Sequence, residues 1–359
     1  MIRRLFLLAL VVAGLAPGTY VRTQVAPAGL DAGVTITRLE RFPSQMGPFS
    51  VLGAWQLESE NALFGSYSAL GASAPGRYLS LSDKGTVLRF GITGDTLDIV
   101  ELTRLNPGKG FVDKHDVDVE ALTIEPGAGT VWLAYEGRNV IERRSPDLAL
   151  IQRVRPEAMA DWRSNSGPEA MARMPDGSFI VIGEGKKGWV GGRLPAVRFA
   201  GDPVASPASA GFAFGAPSDF RPTDMALLPD GRVLFLLRRI EWGLPPRFEI
   251  GLMVADPADI VEGETWTGTL LTTFSHPFPT DNYEGLSVES DGDYPVTATL
   301  ISDDNGISYQ RTLVLQLQWD GRGPFSERRK QQKARGLPSA PLPTGKTGLP
   351  GLRPRSSPS

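Results

Sequence analysis

A short motif recurs down this chain about every 50 residues, and that period limits the fold more than any other feature. Asp118-Val119-Glu120-Ala121-Leu122-Thr123 is followed by Gly167-Pro168-Glu169-Ala170-Met171-Ala172. Next come Pro222-Thr223-Asp224-Met225-Ala226-Leu227 and Asn282-Tyr283-Glu284-Gly285-Leu286-Ser287. A degenerate copy, Ser66-Tyr67-Ser68-Ala69-Leu70-Gly71, precedes them all. The anchors at 68, 120, 169, 224 and 284 are 52, 49, 55 and 60 residues apart. A turn and an apolar run follow each copy: Tyr78–Ser82, Val131–Tyr135, Phe179–Gly183, Val233–Leu237 and Val296–Ser302. These runs are strand-forming in composition and no amphipathic segment of helical length persists.

About four strands per repeat predicts an all-β fold, a β-propeller of five to six four-stranded blades. Five copies of the motif are visible, but the stretch after Glu284 holds only three good strands, ending with Thr312–Trp319. The N-terminal runs Val34–Phe42 and Val51–Leu57 would complete that blade, closing a five-bladed ring with strands from both ends of the chain. If they build a blade whose motif has decayed, the count is six.

The two ends are of different material. Met1-Ile2-Arg3-Arg4 precedes an apolar run from Leu5 to Ala16, the pattern of a secretory signal and too short to span a bilayer comfortably. From residue 321 onward there are nine Lys/Arg, one acid, seven prolines and six glycines. Such a segment cannot bury enough apolar surface to offset its ordering entropy. The expected organisation is a signal peptide over residues 1–20, the propeller over 30–320, and a disordered basic tail over 321–359. The protein is then exported, periplasmic or secreted, with no stable membrane span after signal removal, and its tail is suited to an anionic envelope surface. The net charge of −3 conceals this segregation: residues 21–320 hold 26 basic and 39 acidic residues. No nucleic-acid partner is expected of so acidic a body.

The propeller geometry gathers charge at one place. The start of each first strand and the end of each second strand meet at the same face. Glu120, Glu169, Asp224 and Glu284 occupy the first positions; Asp83, Glu136, Glu184, Asp303 and Asp304 occupy the second, where the fourth repeat instead has Arg238. Carboxylates crowded together repel unless a cation sits among them, and an all-oxygen donor set suits Ca²⁺. Arg138, Lys186 and Arg238 beside these turns would hold a substrate's anion. His115, in the segment leading to Glu120, is the best placed histidine for proton transfer, with Glu120 and Glu169 as the catalytic acids. The same acids could instead brace neighbouring blades through backbone amides.

Other chemistries find no support. The chain has no cysteine and two histidines, which excludes thiolate sites and His-rich metal cages. There is no G-x-S-x-G, and no nucleotide or organic cofactor is expected. Thr344-Gly345-Lys346-Thr347 lacks the first glycine and the strand of a phosphate loop, and Asp303-Asp304-Asn305-Gly306 lacks the flanking acids of an EF-hand.

Glu120-Ala121-Leu122, Asn165-Ser166-Gly167-Pro168-Glu169-Ala170-Met171, Asn282-Tyr283-Glu284-Gly285-Leu286-Ser287 and Leu300-Ile301-Ser302-Asp303-Asp304-Asn305, taken in this order, resemble the phytase-like domain family, "esterase-like activity of phytase". The resemblance spans roughly residues 50 to 320 and implies an exported bacterial propeller that hydrolyses phosphate or other esters, with calcium. The activity expected is a metal-dependent phosphoester hydrolase acting on a small phosphate or carboxylate ester. The rival expectation is a non-catalytic propeller that binds a small ligand or an envelope partner.

Overall fold

The structure is a computed structural model, and it describes residues 33–106, 116–163, 166–185, 193–217, 219–243 and 246–322. The expected signal peptide, nearly all of the tail, His115 and Lys186 lie outside the described residues.

Three strands precede the first repeat: β1 (Thr35–Arg38), β2 (Gln45–Met46) and β3 (Phe49–Glu58). The first blade is β4 (Tyr67–Ala74), β5 (Arg77–Ser82), β6 (Thr86–Thr93) and β7 (Thr96–Arg104). The second is β8 (Val119–Ile124), β9 (Val131–Tyr135), β10 (Val140–Arg144) and β11 (Leu150–Val154). In the third, β12 (Pro168–Arg173), β13 (Phe179–Gly183), β14 (Arg193–Phe199) and β15 (Ser209–Gly215) form the sheet. The fourth contains β16 (Arg221–Leu227), β17 (Val233–Glu241) and β18 (Arg247–Ala255). The chain then sends β19 (Thr265–Thr267) back to pair in parallel with β15, before β20 (Thr269–Phe274) completes the fourth sheet. The fifth opens with β21 (Asn282–Glu289), β22 (Val296–Asp303) and β23 (Thr312–Trp319), and β3 and then β1 add outside β23.

The fold is therefore an all-β propeller of five blades, which settles the expected five to six. Among the described residues the only helical pieces are short 3-10 turns such as Glu157–Met159 and Pro257–Asp259. None of the described helices is long and apolar enough to cross a membrane.

Apolar burial sits between blades, because each sheet must cover both faces. Trp266 of β19 packs on Phe214 and Phe235, welding blade three to blade four. Trp132 meets Phe179 edge-on between blades two and three. Close approach is enforced at Gly285, where a Cβ would come within 2.8 Å of Leu70 in the next blade.

Every inner strand carries a bulge near its start, where one residue has no partner in the antiparallel ladder. Those residues are Ser68, Glu120, Glu169, Thr223 and Glu284. The fourth anchor is thus Thr223 and not Asp224, as reading by residue type had it. Two of these positions use a hydroxyl as a joint. Ser68 donates to the Val119 carbonyl and Thr223 donates to the Tyr283 carbonyl at 3.1 Å, each the residue just before the next blade's bulge. Thr223→Val keeps the shape and removes one such bond, so it is expected to lower stability by about 1 kcal/mol in denaturant unfolding.

Candidate functional site at the channel mouth

Three equivalent positions in each blade converge on one face of the ring. One is the bulge. Another lies two residues before it: Ser66, Asp118, Gly167, Arg221 and Asn282. The third lies on the second strand's return, at or just past that strand's end in every blade but the fourth: Asp83, Glu136, Glu184, Arg238 and Asp303. Backbone bonds tie the last two sets together in matching fashion, from Asp83 to Ser66 at 3.2 Å, Glu136 to Asp118 at 3.1 Å and Glu184 to Gly167 at 3.0 Å. In blades four and five the same positions are ladder partners, Arg221 with Arg238 and Asn282 with Asp303. Eight of these fifteen positions carry carboxylates and two carry arginines.

Blade two supplies an acid at all three positions and blade three at two, with Gly167 at its third. One oxygen from each of Asp118, Glu120 and Glu136 lies within 4.8 Å of the others. Burial, followed by the charges of Glu169, Glu284, Asp118 and Glu136, pushes the Glu120 carboxyl well above its usual range. Glu169 is likewise raised by burial and by Glu184, Glu136 and Glu284, with Arg238 opposing. Such displaced values arise where desolvation and like charge act together, a combination common at functional sites.

Blade four provides the counterweight, reaching onto blade five. Arg238 donates to Glu284 Oε1 at 2.6 Å and to Asn282 Oδ1. Asn282 in turn donates to Glu284 Oε1 at 2.8 Å and to Asp303 Oδ2 at 3.3 Å. Burial still raises Glu284, although Arg238 holds it back. Asp303 is pushed up to about 9, by burial first and then by Glu284.

The remaining expected residues divide. Arg138 is half exposed and paired with Asp116, Nε to Oδ1 at 2.5 Å. Asp224 leaves the site: its Oδ1 accepts from Met225 N at 2.8 Å and its Oδ2 from Leu286 N at 2.7 Å, across the joint between blades four and five. Asp304 is also a joint, accepting from Ser66 N at 3.1 Å, Gly306 N at 2.9 Å and Thr312 Oγ1 at 2.9 Å. Their carboxylates serve the bracing role open to any acid in this motif. Asp118 and Asn282 were not among the expected site residues. The alternation Asp118-Val119-Glu120 was the available signal, since residues two apart share a face of a strand.

No curated protein sequence matches the chain at a significant level. Among solved structures, a luciferin-regenerating enzyme aligns with a TM-score of 0.40 at 10% identity, over 74% of this chain and 83% of that one. The Dos1 propeller aligns with a TM-score of 0.36, also at 10% identity, over 77% and 76% of the two chains. The family model described as esterase-like activity of phytase matches residues 62–306, the span from just before the first blade to the Asp303-Asp304-Asn305 loop, and the chain belongs to that phytase-like family.

Proposed function

We propose that this protein is an exported, calcium-dependent hydrolase of phosphate esters that works at the acidic channel mouth. The observation that carries the reading is the convergence of Asp118, Glu120 and Glu136 within 4.8 Å. The donor set is made of hard oxygens alone, and two Ca–O bonds of about 2.3–2.6 Å each can bridge that span. Asp118, Glu120 and Glu136 would hold the ion, which supplies charge neutralisation for an approaching anion and polarises its phosphoryl group.

The chain's own residues then take distinct roles. Glu169, with its carboxyl raised by burial and like charge, is suited to pass a proton to the leaving oxygen. Arg238 is fixed by Glu284 and Asn282 and so presents its charge with little ordering cost. Arg138, half exposed at the rim, can meet the incoming anion first.

Hydrolysis of p-nitrophenyl phosphate compared with p-nitrophenyl acetate tests the reading. Turnover of the phosphate with calcium and its loss in EDTA are expected. Glu120→Gln and Glu169→Gln should each lower kcat/KM by roughly 10²-fold with the fold intact by circular dichroism. Full activity in both variants would refute the assignment, and cleavage of the acetate alone would make the protein a carboxylesterase.

A further inference from the structure

Two of the mouth positions in each blade stand opposite one another across its first and second strands, and the blades fill them differently. Residues directly opposite in an antiparallel pair project to the same face, with Cβ atoms about 4.5–5.5 Å apart. In blade five the pair is Asn282 and Asp303, and the Asn282 amide donates to Asp303 Oδ2 at 3.3 Å. A donor meets an acceptor there. In blade two it is Asp118 and Glu136, two acids whose oxygens lie within 4.8 Å and call for a cation. Blade four is the converse, with Arg221 opposite Arg238. Two guanidinium groups have donors only, and like charges directly opposite are destabilising. That pair calls for an anion.

The two arginines are not equally supplied with one. Arg238 donates to Glu284 Oε1 at 2.6 Å and to Asn282 Oδ1, so its charge is matched within the fold. Arg138, at the rim, is likewise matched by Asp116. Arg221 is partly buried at the start of β16, and among the described residues its guanidinium has no hydrogen bond or ion pair. An arginine carries five N–H donors in a rigid fork that fits two oxygens of one phosphate or carboxylate. Held partly out of water beside a second cation, such a fork is best completed by an anion from outside.

The place of Arg221 in the ring suits that role. The inner strands touch in the cyclic order β4, β8, β12, β16, β21 and back to β4. Blade two therefore borders blades one and three, while blades four and five lie across the channel from it. The acids suited to an ion and the unmatched arginine face the opening from opposite sides.

We propose that Arg221 is an anion-binding residue of the mouth, and that it takes an oxyanion of the phosphate type whose remaining oxygens turn toward blade two. The inference rests on the hydrolase reading for the calcium held by blade two. It adds the group that grips the substrate's charge from the far side.

Inorganic phosphate is the probe, titrated calorimetrically into the full protein with calcium. Arg221→Gln should weaken phosphate binding at least tenfold, the loss of a charge-assisted contact. Arg221→Lys keeps the charge without the fork and should fall between the two. Calcium affinity, titrated separately, should not fall in either variant. A merely structural arginine would give another signature, since its loss would lower the melting temperature. Arg221→Gln instead relieves a like-charge pair, so the melting temperature in EDTA should hold or rise. Unaltered phosphate binding in Arg221→Gln, no phosphate binding by the calcium-loaded protein, or a lowered melting temperature in Arg221→Gln would overturn the proposal. Arg221-dependent phosphate binding in a protein that cleaves no ester would uphold the anion site and remove the hydrolase reading. Hydrolysis of p-nitrophenyl phosphate with full kcat/KM in Arg221→Gln would do the opposite.

Discussion

In EDTA, the melting temperature of this protein is expected to fall by roughly 10 °C as the pH is raised from about 5 to about 9, and calcium should cancel most of that fall. Most proteins lose stability toward acid because their carboxylates are favoured in the folded state. Here the sign is reversed. Asp303 moves from 3.8 up to about 9 on folding, and Glu120, Glu169 and Glu284 are raised as well, by burial and by one another. A carboxyl whose pKa is higher in the fold than in the unfolded chain favours the fold while it stays protonated. That advantage is complete below the unfolded value near 4 and is lost as the pH climbs through the folded one. Within the window the folded state holds more protons than the unfolded chain, and each excess proton costs about 1.4 kcal/mol of stability per pH unit. The groups are close enough that the protons belong to the set and not to single residues. An ion among Asp118, Glu120 and Glu136 would supply the positive charge that the protons otherwise bring, so the calcium-loaded protein should melt at nearly constant temperature. Scanning calorimetry across the window decides the matter. A flat profile in EDTA, with no response to calcium, would mean that these acids do not share one crowded mouth.

Much of this mouth was readable in the sequence because two regularities of strands place it. The repeat fixes which strand lies innermost, and the antiparallel return brings the end of the second strand back beside the start of the first. β9 (Val131–Tyr135), β13 (Phe179–Gly183) and β23 (Thr312–Trp319) fall where their apolar runs put them, and Asp83, Glu136, Glu184, Arg238 and Asp303 all land on the same face. The slips have a common cause. Reading the anchors by residue type selects an acid in each of the last four repeats, and so selects Asp224. The bulge sets the register, and in blade four it carries Thr223, whose hydroxyl makes the same joint as Ser68. Asp118 went unread for the converse reason. Its equivalents are Ser66, Gly167, Arg221 and Asn282, so no repeated type announces the position. Asp304 shows that composition alone cannot separate a ligand from a brace, since only the three donors around it reveal its role. The extension of β17 was hidden because Arg238-Arg239 reads as the end of a strand, whereas pairing to Glu249 and packing on Phe220 carry the ladder further.

Asp224→Ala is expected to be among the most destabilising single changes in the ring, at about 3–5 kcal/mol, while Glu120→Gln stabilises the metal-free protein at alkaline pH. The two acids come from matching motifs, but Asp224 is fully buried, Glu120 keeps part of its surface in solvent, and their partners differ. Asp224 has lost all contact with solvent, and its two oxygens accept from Met225 N and Leu286 N. Removing the carboxylate leaves two backbone donors unsatisfied in a dry joint between blades, each worth about 1–3 kcal/mol, and opens a small void. Against a total stability of about 5–15 kcal/mol that is a large loss. Asp224→Asn keeps one acceptor oxygen and turns an amide group toward the second donor, so roughly half the effect should remain. Burial pushes both carboxyls up, but at Asp224 the Leu286 and Met225 amides work against that rise, whereas at Glu120 the charges of Glu169, Glu284, Asp118 and Glu136 add to it. Replacing Glu120 by Gln keeps the shape and removes one repulsive partner from the set. Denaturant unfolding of the three variants in EDTA near pH 9 therefore separates brace from site by sign. Should Asp224→Ala unfold like the unaltered protein, the joint assigned to it does not exist. Should Glu120→Gln prove as damaging as Asp224→Asn, then Glu120 is a brace too, and the acid mouth loses its centre.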